Sequence, residues 1–195
     1  MLSLAEIGPA IYGAWRLALF DPGGMRHFDR SLHGFWRSFQ AAILALPLYA
    51  LLIWIHLAGM HVGGGWPRVL LGEGIAYVIG WVAFPLAFYY VAPIIDRTDH
   101  YLGFIVAYNW TSLIQLAILL PAYGIAALGI LPAGLGSAVA DVAEIATLVY
   151  EWYVIRTALQ VPGLGAAGVL LMDVVLSLVI QTLADLVVHA IHAAA

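Results

Sequence analysis

The chain has 195 residues, of which 64% are hydrophobic and only 9% charged, and its formal net charge is −4. A soluble domain is about half apolar and about a quarter charged, and at this size it has too little interior for so much apolar surface, which excludes a soluble globular protein. The absence of cysteine excludes disulfides, thiolate metal sites and cysteine nucleophiles, and outside the N-terminal segment no basic patch with interleaved aromatics points to nucleic acid. We therefore expect an all-α, polytopic transmembrane bundle in the lipid bilayer.

The first 38 residues predict an interfacial amphipathic segment on the cytoplasmic side. Pro9 can open a short helix, and the Asp-Pro-Gly-Gly run at 21–24 ends it as a turn. Arginines and aromatic residues are mixed throughout, a composition that favours the headgroup layer. A topology anchor and a partner-docking helix both stay open for this segment. Its two apolar stripes are Ile11, Trp15 and Leu19, then Phe28, Leu32, Phe35, Trp36 and Phe39.

Five later stretches are long and apolar enough to cross a bilayer, which takes about 20 helical residues. The chain should break within 121–136, because that segment holds two prolines and four glycines. A re-entrant loop is the alternative there. The predicted spans are about 39–59, 73–95, 101–123, 137–159 and 166–186, and they form a five-helix transmembrane domain over 39–195.

Arginine placement orients this bundle. With five spans, six of the seven arginines fall on one side and only Arg68 falls on the other. Because positive residues prefer cytoplasmic loops, we expect a cytoplasmic N-terminus and an extracytoplasmic C-terminus. The use of arginine without lysine, with abundant alanine and glycine, suggests a bacterial source and hence the inner membrane.

Polar side chains concentrate in the last three spans, whereas the first two look like apolar scaffold. A carboxylate at mid-bilayer is costly unless it is paired, hydrated or protonated, so these polar faces should point inward. Glu151 and Asp173 should lie at one depth, with Asn109 able to join them, and share a proton. Interhelical hydrogen bonding and a proton, ion or solute pathway both stay open. The predicted polar cluster is Asn109, Gln115, Glu144, Glu151, Asp173 and Gln181.

A second group lies at the extracytoplasmic end. Asp185, His189 and His192 follow i, i+4, i+7 spacing, which is typical of metal ligands on one helix face. Zinc or copper there is the alternative to our expectation of no cofactor. We do not expect an enzyme, because none of the common nucleophile, phosphate-binding or metalloprotease motifs occurs. The same rim should carry His56, His61 and Glu73.

In length and layout the chain resembles the Yip-like family of small five-span membrane proteins. These have a cytoplasmic N-terminal segment, a compact five-helix bundle and a short C-terminus on the far side. No motif matches residue by residue, so the resemblance implies membrane organisation or trafficking without assigning any residue a role.

Two functions follow as expectations. The first is a non-enzymatic protein of the inner membrane that organises or assists partner membrane proteins, or associates with itself. The alternative is a small transporter or channel that uses the polar cluster for proton, ion or solute passage. A polar cavity between spans three, four and five would favour the transporter, and a dry interface the organising role.

Overall fold

The computed structural model describes residues 4–57 and 66–193, with side chains for 7–55, 70–132, 134–184 and 186. The described chain is helical and contains no strand, which confirms the predicted all-α class. Its α-helices are α1 Leu4–Ala18, α2 Leu32–Ser38, α3 Gln40–Leu57, α4 Trp66–Val91, α5 Tyr101–Ala127, α6 Ala133–Leu159 and α7 Gly163–Ala193, with short 3-10 helices at Pro22–His27 and Thr98–His100.

Four described helical stretches are long and apolar enough to cross a membrane. They correspond to the predicted first, second, third and fifth spans. The predicted fourth span corresponds to α6, which is not among them because acidic side chains lower its hydropathy. The four stretches are Leu32–Ile55, Leu70–Val91, Thr98–Ala127 and Gly163–Ala184.

The break between α5 and α6 is shorter than the predicted segment 121–136. Helix α5 continues through Pro121 to Ala127, because a proline removes one backbone hydrogen bond without necessarily ending a helix. Gly129 then adopts a φ of +63°, which glycine tolerates without strain, and α6 begins directly after Pro132. The alternative of a re-entrant loop is therefore wrong, since the connection is only the turn at 128–132.

Helix α5 is the centre of the bundle. It packs against α6, α3 and the N-terminal helices, and α7 packs against α4 and α6. Helix α4 meets α5 chiefly through aromatic rings, with Phe88 edge-on to Phe104 at a centroid distance of 4.8 Å. This arrangement leaves a cleft between α3, α4, α5 and α7.

Helix α6 runs antiparallel to α5 along its whole length. Near the end of α5, the Tyr123 hydroxyl donates to the Glu144 carboxylate in the first half of α6. At the opposite end, the Arg97 guanidinium, just before α5, donates to the Gln160 carbonyl, just after α6, at 3.4 Å. At 1.5 Å per residue both helices are about 40 Å long, so α6 crosses the same thickness of the bundle as α5.

The N-terminal helix begins earlier than predicted and packs on a different face. Helix α1 starts at Leu4, so Pro9 lies inside it and does not open it. Pro9 has no backbone N–H to donate to the carbonyl four residues earlier. That carbonyl lies in the first turn of the helix, so only one hydrogen bond at the helix end is lost. The face against the bundle is formed by Ala10, Ala14 and Leu17, whereas the predicted stripe beginning with Ile11 is exposed.

Hydrogen bonds and close backbone packing fasten this segment to the bundle. The Tyr150 hydroxyl donates to the Ala14 carbonyl, and the Tyr153 hydroxyl donates to the Phe20 carbonyl, both at 2.7 Å. Helix α1 also touches the following 3-10 helix so closely that a Cβ on Gly24 would lie only 2.9 Å from the Leu17 side chain. The described residues of the N-terminal segment, 4–38, are therefore part of the folded bundle.

Candidate functional site

Two carboxyl groups meet inside the bundle, Glu151 on α6 and Asp173 on α7. Glu151 is 9% exposed and Asp173 7% exposed, and their carboxyl groups lie close enough to interact. Helices joined by a short turn pack side by side, and both residues lie about 12–15 Å along their helices from the turn at 160–162. The structure thus brings together the two acids that the spacing places at one depth.

The pair has few polar partners. The Tyr108 hydroxyl lies 3.1 Å from each Asp173 oxygen and can donate to only one of them at a time. The Gln115 amide donates to Glu151 Oε2 at 3.4 Å. Glu151 Oε1 is buried and accepts no hydrogen bond from the donors that the structure describes.

Neither acid has an ion-pair partner among the described side chains. Arg156, the arginine nearest in sequence, is exposed, and its guanidinium lies 5.5 Å from the centroid of the Trp152 ring. Two carboxylates this close in a poorly solvated site repel each other, so protonation of one of them favours their approach. The geometry therefore suits a pair that holds one shared proton.

A polar cleft of about 250 Å³ opens beside this pair. It lies between α3, α4, α5 and α7, so α6 does not line it and its place differs from the expected cavity between the last three spans. Tyr108 belongs both to its wall and to the acid pair, because its hydroxyl contacts Asp173. The polar and aromatic residues of the wall are Tyr49, Tyr77, Trp81, Tyr108, Ser112, Ser177 and Gln181.

Glu73 is a third acid, near the opposite end of the cleft. It accepts hydrogen bonds from the Tyr49 hydroxyl at 2.8 Å and from the Gln181 amide at 3.4 Å, so α3, α4 and α7 meet at its carboxylate. Helix α4 begins at Trp66, which places Glu73 about 10 Å from the N-terminal end of the helix.

The prediction that the first two spans are apolar scaffold or lipid-facing helices holds for many of their large apolar side chains, which are exposed, but it is incomplete. These two spans supply Tyr49, Glu73 and Tyr77 to the polar cleft and its margin. Hydropathy treats a tyrosine ring as nearly apolar, so a periodicity search passes over its hydroxyl. The signal that could have found them is the occurrence of one acid and two tyrosines in otherwise aliphatic helices.

Asn109 does not join the acid pair. It is fully buried, and its amide donates to the Ser38 hydroxyl at 2.8 Å, which in turn donates to the Phe35 carbonyl at 2.7 Å. Asn109 thus ties α5 to α2 on the side of α5 that faces the N-terminal segment. The expectation that it lies with Glu151 and Asp173 is wrong, because two polar residues on one helix can share a depth and still face different neighbours.

The other predicted site residues lie apart from the pair. Glu144 is exposed and accepts from Tyr123, while Gln181 is exposed and donates to Glu73. Thr111 and Ser112 both donate to the carbonyl of Tyr108 within α5.

The structure does not describe the side chains of the predicted metal site at the rim. Asp185, His189 and His192 lie on α7, but their side chains are outside the described residues, as are His56 and His61. Within the described part of the chain, no group of three or more His, Asp or Glu side chains could hold a metal ion. The rim site thus stays a prediction.

No protein-family model, curated protein or solved structure matches this chain. The resemblance to the Yip-like family accordingly stays a prediction from length and layout. Inference about function starts from the acid pair and the cleft.

Proposed function

We propose that this chain is a five-span protein of the bacterial cytoplasmic membrane that transports protons, alone or coupled to an ion or solute. Glu151 and Asp173 are its proton-binding pair. The observation that carries the proposal is a buried carboxyl pair without a counter-cation among the described residues, connected through Tyr108 to a polar cleft. Acids of this kind within a membrane are typical of proton relays.

Besides the four apolar stretches, this proposal counts α6 as a span, the fourth in chain order. Helix α6 matches α5 in length, runs antiparallel to it and returns the chain to the end where α5 begins. Helices α5 and α7 both begin at that end. If both cross the membrane, then α6, which joins the end of α5 to the start of α7, crosses it as well. The acidic residues that lower the hydropathy of α6 include Glu151, which faces the bundle interior.

The arginines support a cytoplasmic N-terminus. Arg30 packs over Gly103 at the start of α5, and Arg97 lies beside Gln160 at the end of α6. The six arginines with described side chains thus gather at one end of the bundle, which the positive-inside tendency assigns to the cytoplasm. The C-terminus is then extracytoplasmic.

Proton transfer in this proposal uses groups already in contact. The Tyr108 hydroxyl can accept a hydrogen bond from a group in the cleft while it donates one to Asp173, so it can relay a proton between them. Asp173 lies beside Glu151, whose Oε1 is buried and accepts from no described donor, so a proton bound by the pair would remove an unpaired buried charge. Water that enters the cleft beside Ser112 and Ser177 completes the connection on one side.

Proteoliposomes that contain a pH-sensitive dye test the proposal. A potassium diffusion potential should drive internal acidification by the wild-type chain, and Asp173→Asn or Glu151→Gln should reduce it to the rate of empty liposomes. Glu144→Gln is the matched control, because it makes the same chemical change on the same helix at an exposed carboxylate. Rates that do not differ between Asp173→Asn and the wild type would reject the proposal.

Organisation of partner membrane proteins is the second candidate. The N-terminal segment presents large aromatic side chains, with Trp15 and Trp36 more than half exposed, and these could contact a partner. In that case the acid pair is structural. Asp173→Asn should then be mild, because an amide can hydrogen-bond to a protonated Glu151 as well as a carboxyl group can.

A further inference from the structure

We propose that the cleft between α3, α4, α5 and α7 is a substrate site for a small organic ammonium ion. This inference rests on the proposed transport function and adds the chemical class of the substrate. It arises from the aromatic rings that line the cleft and from two acidic residues outside that lining, each hydrogen-bonded to a residue of the wall.

Aromatic rings form one side of the site. Tyr49 and Tyr77 have ring centroids 4.7 Å apart, and the Trp81 ring lies 6.1 Å beyond Tyr77. Tyr108 also lines the cleft, and its ring stacks on Phe84 with a centroid distance of 4.5 Å. Ring faces attract cations, and quaternary ammonium groups are the ligands that such aromatic enclosures bind best.

Charge favours the same class of ligand. Glu73 lies at one end of the cleft, fixed by Tyr49 and Gln181, and Asp173 lies behind Tyr108 at the other. None of the described side chains that line the cleft is cationic. An anion would therefore meet acids without a compensating positive group, whereas an ammonium ion meets negative charge and ring faces together.

The volume limits the size of the ligand. At about 250 Å³ the cleft is smaller than the usual range of about 300–1,000 Å³ for sites that hold drug-sized ligands. Ser112 and Ser177 add hydroxyl groups that can bond a polar substituent. An ammonium ion that carries a short hydroxyalkyl chain, as choline does, fits these features.

The test is calorimetric titration of the purified full chain in detergent with choline and with 3,3-dimethylbutan-1-ol, its uncharged isostere. We expect saturable one-to-one binding of choline and binding of the isostere at least tenfold weaker. Glu73→Gln and Trp81→Leu should each weaken choline binding about tenfold or more, the former with no change in side-chain size. Trp54→Leu, at an exposed position of α3 away from the cleft, is the matched control and should bind as the wild type does.

Three results would overturn the inference. Equal affinity for choline and its isostere would show an apolar groove that suits a lipid chain. Choline binding unaffected by both cleft variants would place the ligand elsewhere. Absence of choline binding, with proton movement still lost in Asp173→Asn, would reject the substrate class and leave the proposed function standing. Cation-selective binding together with unchanged proton movement in Asp173→Asn would support the cleft and reject the transport proposal.

Discussion

Tyr108 is the residue at which the cleft and the acid pair meet. Its ring stacks on Phe84, while its hydroxyl reaches both oxygens of Asp173. The ring contributes to packing, and the hydroxyl contributes the connection between the two parts of the site. A change that removes only the hydroxyl therefore separates the two roles.

Tyr108→Phe should keep the fold and impair proton movement. Loss of a hydrogen bond to a buried carboxyl group should lower the free energy of unfolding by about 1–3 kcal/mol, and the liposome acidification rate should fall several-fold. Tyr101→Phe is the control, because its hydroxyl donates to the Pro85 carbonyl at 3.0 Å, far from the acids. Equal acidification rates in the two variants would mean that Tyr108 does not connect the cleft to the pair.

Asp21 makes the N-terminal segment sensitive to acid. Its hydrogen bond from the Gly23 backbone N–H, and then its contact with Arg16, lower the pKa of its carboxyl below the ordinary 3.8. Because the folded pKa is lowered, the stabilisation is complete above pH 3.8 and is lost as the pH falls through the lower, folded value.

Limited pepsin digestion across acidic pH checks this expectation. Cleavage of the wild type between α1 and α2 should increase as the pH drops below about 3.8, whereas Asp21→Asn should be cleaved readily over the whole range. Parallel digestion curves for the two proteins would show that Asp21 does not hold the segment.

At the scale of elements, hydrophobic run length predicted all five long helices as spans, and four described stretches are long and apolar enough to cross a membrane. The start of α4 was missed because Trp66-Pro67-Arg68 looks like a loop, yet proline fits the first turn of a helix. In α1 the packed face carries alanines and the strongest apolar stripe faces outward, which is the arrangement expected of a bundle surrounded by lipid. Hydrophobicity alone therefore cannot tell buried faces from lipid-facing ones.

The acid pair shows both what helical spacing can predict and where it stops. Depth along the helix depends on residue count alone, so Glu151 and Asp173 could be placed level with each other. The direction in which a side chain points depends on how each helix is rotated against its neighbours. That rotation sends Asn109 to Ser38 and Tyr49 to Glu73, and no single-helix pattern contains it.

The crossing of α6 can be tested by labelling, because the chain has no native cysteine. Single cysteines at Ile130, before α6, and at Pro162, after it, should react with a membrane-impermeant maleimide from opposite sides of the membrane. Both positions are exposed in turns, so the substitutions should not disturb packing. Labelling of both from one side would show that α6 does not cross.

At the scale of the whole molecule, polar groups form a series through the bundle. It begins at Glu73, follows the cleft wall to Tyr108 and ends at Asp173 and Glu151. Two helices that look like apolar scaffold supply one end, and two acidic helices supply the other. The proposed transport function depends on one claim above all, that the acid pair holds a proton inside the membrane.

Infrared spectroscopy of the reconstituted chain at neutral pH measures that proton directly. The wild type should show the C=O stretch of a protonated carboxylic acid, shifted after exchange into D₂O, and this band should be absent from the double variant Glu151→Gln with Asp173→Asn. The Glu144→Gln control should keep the band. Identical carboxylic-acid bands in the wild type and the double variant would contradict a shared proton on the pair.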